Sequence, residues 1–291
     1  METTTHLTCR VTGPAVALES AVLTSGLPED ARLNAVERMT AAVTASDVEP
    51  AFTGVIAGQP TVGLTSDELG LLAAQDRKLS TRDLAAAAAR GEHGGTTVAA
   101  TIFLAHRAGL SVAATGGIGG VHPAPGGRDV SADLYELART PIILVCSGAK
   151  AIVDLSATLE RLETLGVTVL GYQTHEFPAF YSAESGLQLG LSVEGPEEVA
   201  EIWRKSRVLS SPGALLVCVP PPEDVALSRK ASEAAVSRAL SDLDMAGISG
   251  PGVTPYLLGR IADYTEGRSL GANLGLLENN ASVAASIARL I

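Results

Sequence analysis

Pro141-Ile142-Ile143-Leu144-Val145-Cys146-Ser147-Gly148-Ala149-Lys150 runs from an apolar core segment to a small-residue turn and then to a cation. Ile142 to Cys146 has no polar position in alternation, so it reads as a strand buried on both faces. Ala149 to Leu165 carries Ile152, Leu155, Leu159 and Leu162 at helical spacing and predicts a helix. Val167 to Tyr172 predicts the next strand. Strand, helix and strand in direct succession are the unit of an α/β fold with a largely parallel sheet.

The same alternation extends outward. Upstream, Ala15 to Leu18, Pro50 to Ala57 and Ser111 to Ala114 read as strands, and Ala31 to Ala45 and Thr96 to Arg107 as helices. Thr65 with Glu68 has capping-box spacing, and Ser80-Thr81-Arg82-Asp83 has the same look before an alanine run. Downstream, Leu215 to Val219 reads as a strand stopped by Pro220-Pro221-Pro222. Ser228 to Ala246 and Ala281 to Leu290 read as helices. Neither a repeat nor a low-complexity linker interrupts the pattern, so residues 1–291 read as a single domain. The Pro/Gly-rich stretch Val121 to Arg128 is too short to separate domains and reads as a mobile loop.

Composition narrows the function. Hydrophobic residues make up 46% and charged residues 18%, a globular balance. Aromatics are only 3%, so Ala, Val, Leu and Ile must build the core. A net charge of −11, with the 21 Lys and Arg scattered, argues against a nucleic acid polymer as partner. A small anion held in a local cationic pocket remains compatible. No apolar run is long enough to span a bilayer, so no membrane association is expected. Cys9, Cys146 and Cys218 form no CxxC or metal-ligand cluster. With no leader pattern after Met1, a reducing, cytoplasmic setting is expected.

Four segments could carry chemistry. Thr115-Gly116-Gly117-Ile118-Gly119-Gly120-Val121-His122 follows a strand. It fits neither a dinucleotide fingerprint nor a P-loop. It is either a tight turn or, the favoured alternative, a backbone cradle for an anion. Asp129-Val130-Ser131-Ala132-Asp133 sets two carboxylates around a hydroxyl. Its oxygens suit a hard divalent cation, but a helix cap with an acidic first turn is the better reading of the residues alone. Lys150 stands just past a buried strand, where α/β active sites form. A desolvated amine there would serve Schiff-base chemistry, although a cation at a helix start opposes the helix dipole. Glu19, at the end of the first strand, is either a general acid or base or a surface ion-pair member. Lys78 and Asn273 carry little alone.

Taken in order, these segments resemble the pseudouridine-5′-phosphate glycosidase family, including its C-glycoside synthase relatives. The matching stretches include Val16-Ala17-Leu18-Glu19-Ser20, Lys78-Leu79-Ser80-Thr81-Arg82-Asp83-Leu84 and Gly95-Thr96-Thr97-Val98. They continue through the glycine run to His122, Asp129 to Leu134, Gly148-Ala149-Lys150, Gly171-Tyr172-Gln173-Thr174 and Ser269-Leu270-Gly271-Ala272-Asn273. The resemblance covers nearly the whole chain. It implies an α/β/α sandwich with a central mixed, largely parallel sheet, and a homotrimer. It implies C–C bond chemistry between C1′ of ribose 5-phosphate and a ring carbon of a small aromatic or heterocyclic acceptor. Lys150 would be the imine-forming nucleophile, Glu19 the proton donor, and His122 an aid to the sugar proton transfers. Lys78, Val98, Thr115, Ser131, Ala132 and Asp133 would hold the sugar phosphate, and Asn273 would face the base. Asp129 would hold manganese through waters, which reverses the reading of that segment taken alone.

The chain departs from the family pattern at several polar positions. Ala21 stands where the family has Thr, and Ser25 where it has His before Gly-x-Pro. Pro123-Ala124 replaces Arg-Gly, and Val219 replaces Asn ahead of Pro220. A site that hydrogen-bonds uracil should not lose polar partners freely. The departures therefore point to a C-ribosylating synthase for another acceptor, with uracil as the alternative.

Overall fold

The computed structural model describes residues 6–123, 129–248 and 252–291, with the side chains of 254 and 255 left aside. The leader-free reading of residues 1–5 and the larger part of the Val121–Arg128 loop lie outside the described residues. The first half of the chain holds strands β1 (Thr8–Cys9), β2 (Ala15–Leu18), β3 (Glu49–Ile56), β4 (Gln59–Val62), β5 (Lys78–Leu79), β6 (Gly94–Thr96) and β7 (Val112–Ala114). Between them run helices α1 (Glu29–Thr44), α2 (Ser66–Ala73), α3 (Leu84–Ala89) and α4 (Val98–Arg107). A two-stranded ladder, β8 (Val121–His122) with β9 (Asp129–Val130), precedes α5 (Ala132–Leu137). The second half holds β10 (Ile143–Cys146), α6 (Leu155–Thr164), β11 (Thr168–Tyr172), β12 (Ser192–Val193), α7 (Pro196–Val208) and β13 (Leu215–Cys218). Helices α8 (Arg229–Ala246), α9 (Val253–Tyr264) and α10 (Arg268–Ala288) close it.

The main sheet runs β1-β4-β3-β2-β7-β10-β13-β11-β12, with β5 and β6 attached beside β3. Its pairings are parallel except where β3 meets β4 and β6. This is the expected mixed, largely parallel sheet with helices on both sides. All four residues of β10 are buried between β7 and β13, which is why the quoted apolar run shows no alternation. Helix α10 lies across β2, β7 and β10, while α4 covers β2, β3, β4 and β7. The inner face of α10 is largely small: Ala272, Gly275, Ala281, Ala284, Ala285 and Ala288 are buried. A side chain at Gly275 would stand 2.7 Å from Val225, in the connection between β13 and α8, so α10 meets that connection closely through glycine. With few aromatics, tight seating of such helices is how this chain fills its core.

Among the boundaries that differ from the sequence reading, three bear on the site. The helix expected from Ala149 starts only at Leu155, because the Asp154 carboxylate accepts the Ala157 N–H at 2.9 Å and caps it there. The segment up to and including the cap bonds to the glycine run instead, Ala149 bridging Ile118 and Asp154 bridging Val121. Lys150 is therefore not on a helix, and no dipole opposes its charge. The helix expected from Thr96 starts at Val98, since Thr96 completes β6. The final helix begins at Arg268 rather than Ala281, its early turns masked in sequence by Gly271 and Gly275. Helices α7 and α9 were not foreseen.

Candidate active site

Glu19, Thr115 and the segment leading to Lys150 leave the carboxyl ends of three adjacent parallel strands, β2, β7 and β10. The register aligns them: Leu18 pairs with Ala114, and Ala114 with Val145. Loops at this edge are where open α/β sheets place their sites. The Glu19 side chain is buried, not a surface ion-pair member, and the Thr115 hydroxyl donates to its Oε1. Burial pushes the Glu19 carboxyl above the ordinary carboxylate range. The Lys150 charge and the Thr115 hydrogen bond oppose that rise, and Asp133 adds to it. Glu19 is thus a carboxyl that keeps its proton to higher pH than an ordinary carboxylate does, a property that suits a general acid.

Lys150 is half-buried, and its N–H donates to the Ile118 carbonyl at 2.9 Å. Two residues earlier, Gly148 has φ +75°, and a Cβ there would sit 2.0 Å from the Pro178 carbonyl oxygen. Only glycine fits this turn, so the path that delivers Lys150 is fixed by sterics. Lys78, on β5, is exposed, and the protein packed along its side chain still lowers its pKa through desolvation, with the neighbouring Lys150 charge lowering it further. Glu19 and Asp133 act the other way. Two cations and two carboxylates therefore share one electrostatic neighbourhood.

The amino end of α4 lies alongside. Val98 is its first residue and is buried. Thr97, at the cap position, makes no capping bond, and its hydroxyl oxygen is buried with no partner among the described residues. An orphaned donor beside a helix amino end and Lys78 suits an oxyanion. Sequence reasoning passed over Thr97, and its place before a helix was the available signal. Asp133, buried, joins this end to the glycine run: its carboxylate accepts the Ala99 N–H at 2.9 Å and the Gly119 N–H at 2.8 Å. The Ser131 hydroxyl accepts the Asp133 N–H at 3.2 Å, so the cap reading of this segment holds; Ala132 opens α5 and is exposed.

Part of the glycine run is committed to the protein itself rather than to an anion. Its Ile118, Gly119 and Val121 N–H groups bond to Gly148, Asp133 and Thr158. Its glycines instead admit neighbours: a Cβ at Gly119 would meet the Ser131 hydroxyl at 2.3 Å, and one at Gly120 the Thr158 hydroxyl at 2.2 Å. His122 and Asp129 face each other across the β8–β9 ladder. Burial lowers the His122 pKa, the Asp129 carboxylate resists, and Lys150 and Lys78 add to the lowering, so the imidazole is neutral at neutral pH. No group of three or more His, Cys, Asp or Glu suited to a metal occurs among the described residues. Exposed Asp129 alone fits an ion held through waters, not a ligand cage.

A cavity of about 920 Å³ opens beside Lys78 and Thr97. Asn273 of α10, Tyr181, and Leu258, Gly259 and Ala262 of α9 form one wall. The other wall is Thr24 to Pro28 with Arg32, formed by the later part of a π-helical turn at Val22–Gly26 and the residues that follow it. Glu19 and Lys150 do not line this cavity. It extends from the Lys78 side of the site, and Asn273 brings it the amide expected to face an acceptor ring. Ser25, one of the departures noted in the sequence, is in this wall.

Residues 7–290 match the family model described as indigoidine synthase A like protein. The pseudouridine-5′-phosphate glycosidase of Chloroflexus aurantiacus is 51% identical over 280 residues, covering 94% of this chain and 92% of that one. The enzyme of the same name from Gemmatimonas aurantiaca is 52% identical over 276 residues, covering 94% and 90%. Among solved structures, an indigoidine synthase A-like protein of Thermotoga maritima superposes with a TM-score of 0.90 at 35% identity, covering 97% and 95%. The prealnumycin C-glycosynthase AlnA, in complex with ribulose 5-phosphate, superposes with a TM-score of 0.86 at 32% identity, covering 97% and 96%.

Proposed function

The chain belongs to the indigoidine synthase A like family, and on that premise we propose that it makes and breaks a C–C bond between C1′ of ribose 5-phosphate and a ring carbon. The observation that carries this is the arrival of Glu19 and the Lys150 loop at the ends of strands β2 and β10, either side of Thr115. The names of the relatives near 50% identity favour pseudouridine 5′-phosphate as the substrate.

In the bond-forming direction the Lys150 amine condenses with the C1′ aldehyde of ring-opened ribose 5-phosphate. Water leaves and a protonated imine forms. The ring carbon adds to C1′ as the C=N pair returns to nitrogen, and the Glu19 carboxylate takes the proton that carbon loses. The C4′ hydroxyl then closes on C1′ as the amine departs, with His122 handling the hydroxyl proton. Cleavage is the reverse: the amine displaces the ring oxygen, protonated Glu19 delivers its proton to the ring carbon, and water hydrolyses the imine. A C-glycoside has no heteroatom leaving group, so nitrogen at C1′ must accept the electronic demand.

Lys78, Thr97 and Val98 hold the phosphate in this reading, with Thr115 and the Ser131-Ala132-Asp133 segment shaping the sugar side. Manganese would be held at Asp129 through waters, supplying positive charge near the sugar phosphate. The resemblance also supports a homotrimer, which the solution mass would test. Borohydride reduction with ribose 5-phosphate tests the core of the reading: a reduced adduct on the Lys150 peptide is expected, and its absence would sink the imine mechanism.

One observation favours a second reading for the acceptor. Ser25 lines the cavity where the family pattern has His, and about 920 Å³ is near the top of the ~300–1,000 Å³ range of small-molecule sites. An acceptor other than uracil, joined to the same sugar, would fit that wall. An acceptor screen with ribose 5-phosphate, read by mass, decides. Turnover of pseudouridine 5′-phosphate at rates normal for an enzyme's own substrate rejects this second reading.

A further inference from the structure

Asn280 lies in the middle of α10 and is fully buried. Around it the helix contributes Leu276, Leu277, Ala281 and Ala284 to the core, so packing alone would favour an apolar residue there. Its amide nitrogen donates to the Thr115 carbonyl at 2.9 Å and to the Ser147 hydroxyl at 3.1 Å, with a longer contact of 3.4 Å to the Gly116 carbonyl. Its Oδ1 accepts the Ser147 hydroxyl at 3.2 Å. Every polar atom of the side chain is used, and each bond goes to one of two strand ends.

Those ends matter to the chemistry. Thr115 follows β7, and its hydroxyl holds Glu19. Ser147 follows β10 and starts the turn that reaches Lys150. The two ends also meet directly, the Ser147 N–H donating to the Gly116 carbonyl at 2.9 Å. The Ser147 carbonyl accepts the Phe180 N–H at 3.1 Å, so Ser147 is fixed from the far side too. A buried amide costs stability unless it is fully bonded, and a hydrogen-bonded bridge sets a distance that side-chain packing leaves loose.

We infer that Asn280, with Ser147 as its relay, is a positioning residue that sets the spacing between the Thr115–Glu19 pair and the Lys150 loop. The inference rests on the imine reading above. Imine formation needs Lys150, whereas the C–C step needs Lys150 and Glu19 at the right separation. Loss of the bridge should therefore separate the two steps.

The test uses the full chain carrying Asn280→Ala and, separately, Ser147→Ala, with signals expressed per folded protein by circular dichroism. Borohydride trapping with ribose 5-phosphate is compared with turnover of pseudouridine 5′-phosphate or, where the acceptor screen yields another ring, of the C-riboside phosphate of that ring. For Asn280→Ala the expectation is trapping within about twofold of the unaltered protein, KM within about threefold, and kcat lower by about tenfold to a hundredfold. Ser147→Ala removes one arm of the bridge while leaving the Thr115 arm, and should lower kcat by about threefold to tenfold with trapping intact. If Asn280→Ala does not fold, Ser147→Ala decides. Unchanged kcat in the folded variants, or trapping and kcat falling together, overturns the positioning role. Absence of any adduct in the unaltered protein overturns the imine reading and this inference with it. A normal adduct there, with normal turnover in both variants, overturns the positioning alone.

Discussion

The Thr115 hydroxyl donates to the Glu19 carboxylate across the ends of adjacent strands β7 and β2, so a neutral side chain restrains the rise in that carboxyl's pKa. That hydrogen bond favours the ionised form and works against the burial that raises the Glu19 pKa. Thr115→Val keeps the shape and removes the bond. The Glu19 pKa should then move further up, carrying the alkaline limb of the cleavage rate to higher pH. The stability cost is about 1 kcal/mol. A pH–kcat profile of the variant checks the direction, and an unmoved limb would separate Glu19 from that titration.

Glu19→Gln removes the transferable proton. Cleavage should fall about a hundredfold to ten-thousandfold, with borohydride trapping on Lys150 retained. Stability follows the same group. Its folded pKa lies above its unfolded value, so its contribution is fully present below the unfolded pKa and is lost as pH rises through the folded one. The melting temperature of Glu19→Gln relative to the unaltered protein should therefore climb across that window. A pH-independent difference would contradict the buried acid.

Lys78→Met should raise KM for ribose 5-phosphate about tenfold to a hundredfold, the weight of one charge-assisted contact to phosphate. Its effect on trapping at saturating sugar should be small. Saturation kinetics of trapping measures both at once.

Gly148→Ala should be among the most damaging single-methyl changes in the chain. Its positive φ costs about 1–2 kcal/mol for any other L-residue, and the added Cβ would collide with the Pro178 carbonyl oxygen. The turn must shift, and Lys150 with it. Thermal melts and trapping yield should fall together, in contrast to Ser147→Ala.

Asp129→Ala should weaken manganese binding, measured by the paramagnetic signal of the free ion, and chelation should reproduce its effect on turnover. Equal binding in the variant would remove Asp129 as the anchor.

Much of this site could be read in sequence, for physical reasons that differ by residue. The Ile142–Cys146 run could only be a buried strand, so the residues just past it stood out at once. Periodicity then overreached: Ile152, Leu155, Leu159 and Leu162 drew the helix back to Ala149, although Asp154 was available as a cap. The glycine run had two adequate explanations, and the neighbours that its glycines admit, Ser131 and Thr158, come near only in three dimensions. Burial of Glu19 depends on strand order, which no local pattern encodes. Asn280 is bonded to residues more than 130 positions away, and its short polar side chain in a run of Ala and Leu carried no periodic signal. The cavity wall is built from Thr24 to Pro28 and from α9, whose nearness to each other belongs to the tertiary fold alone.

Helix α10 seats against β2, β7 and β10, strands that are all complete in the chain by residue 146. During synthesis those strands leave the ribosome well before Arg268 does, and the layer that covers them is still missing. Productive folding must wait for nearly the whole chain, and a nascent chain halted before Asn280 displays an uncovered apolar sheet. Such a product is a substrate for chaperones and proteases rather than a partly active enzyme, so early stop codons should leave no residual activity in the cell.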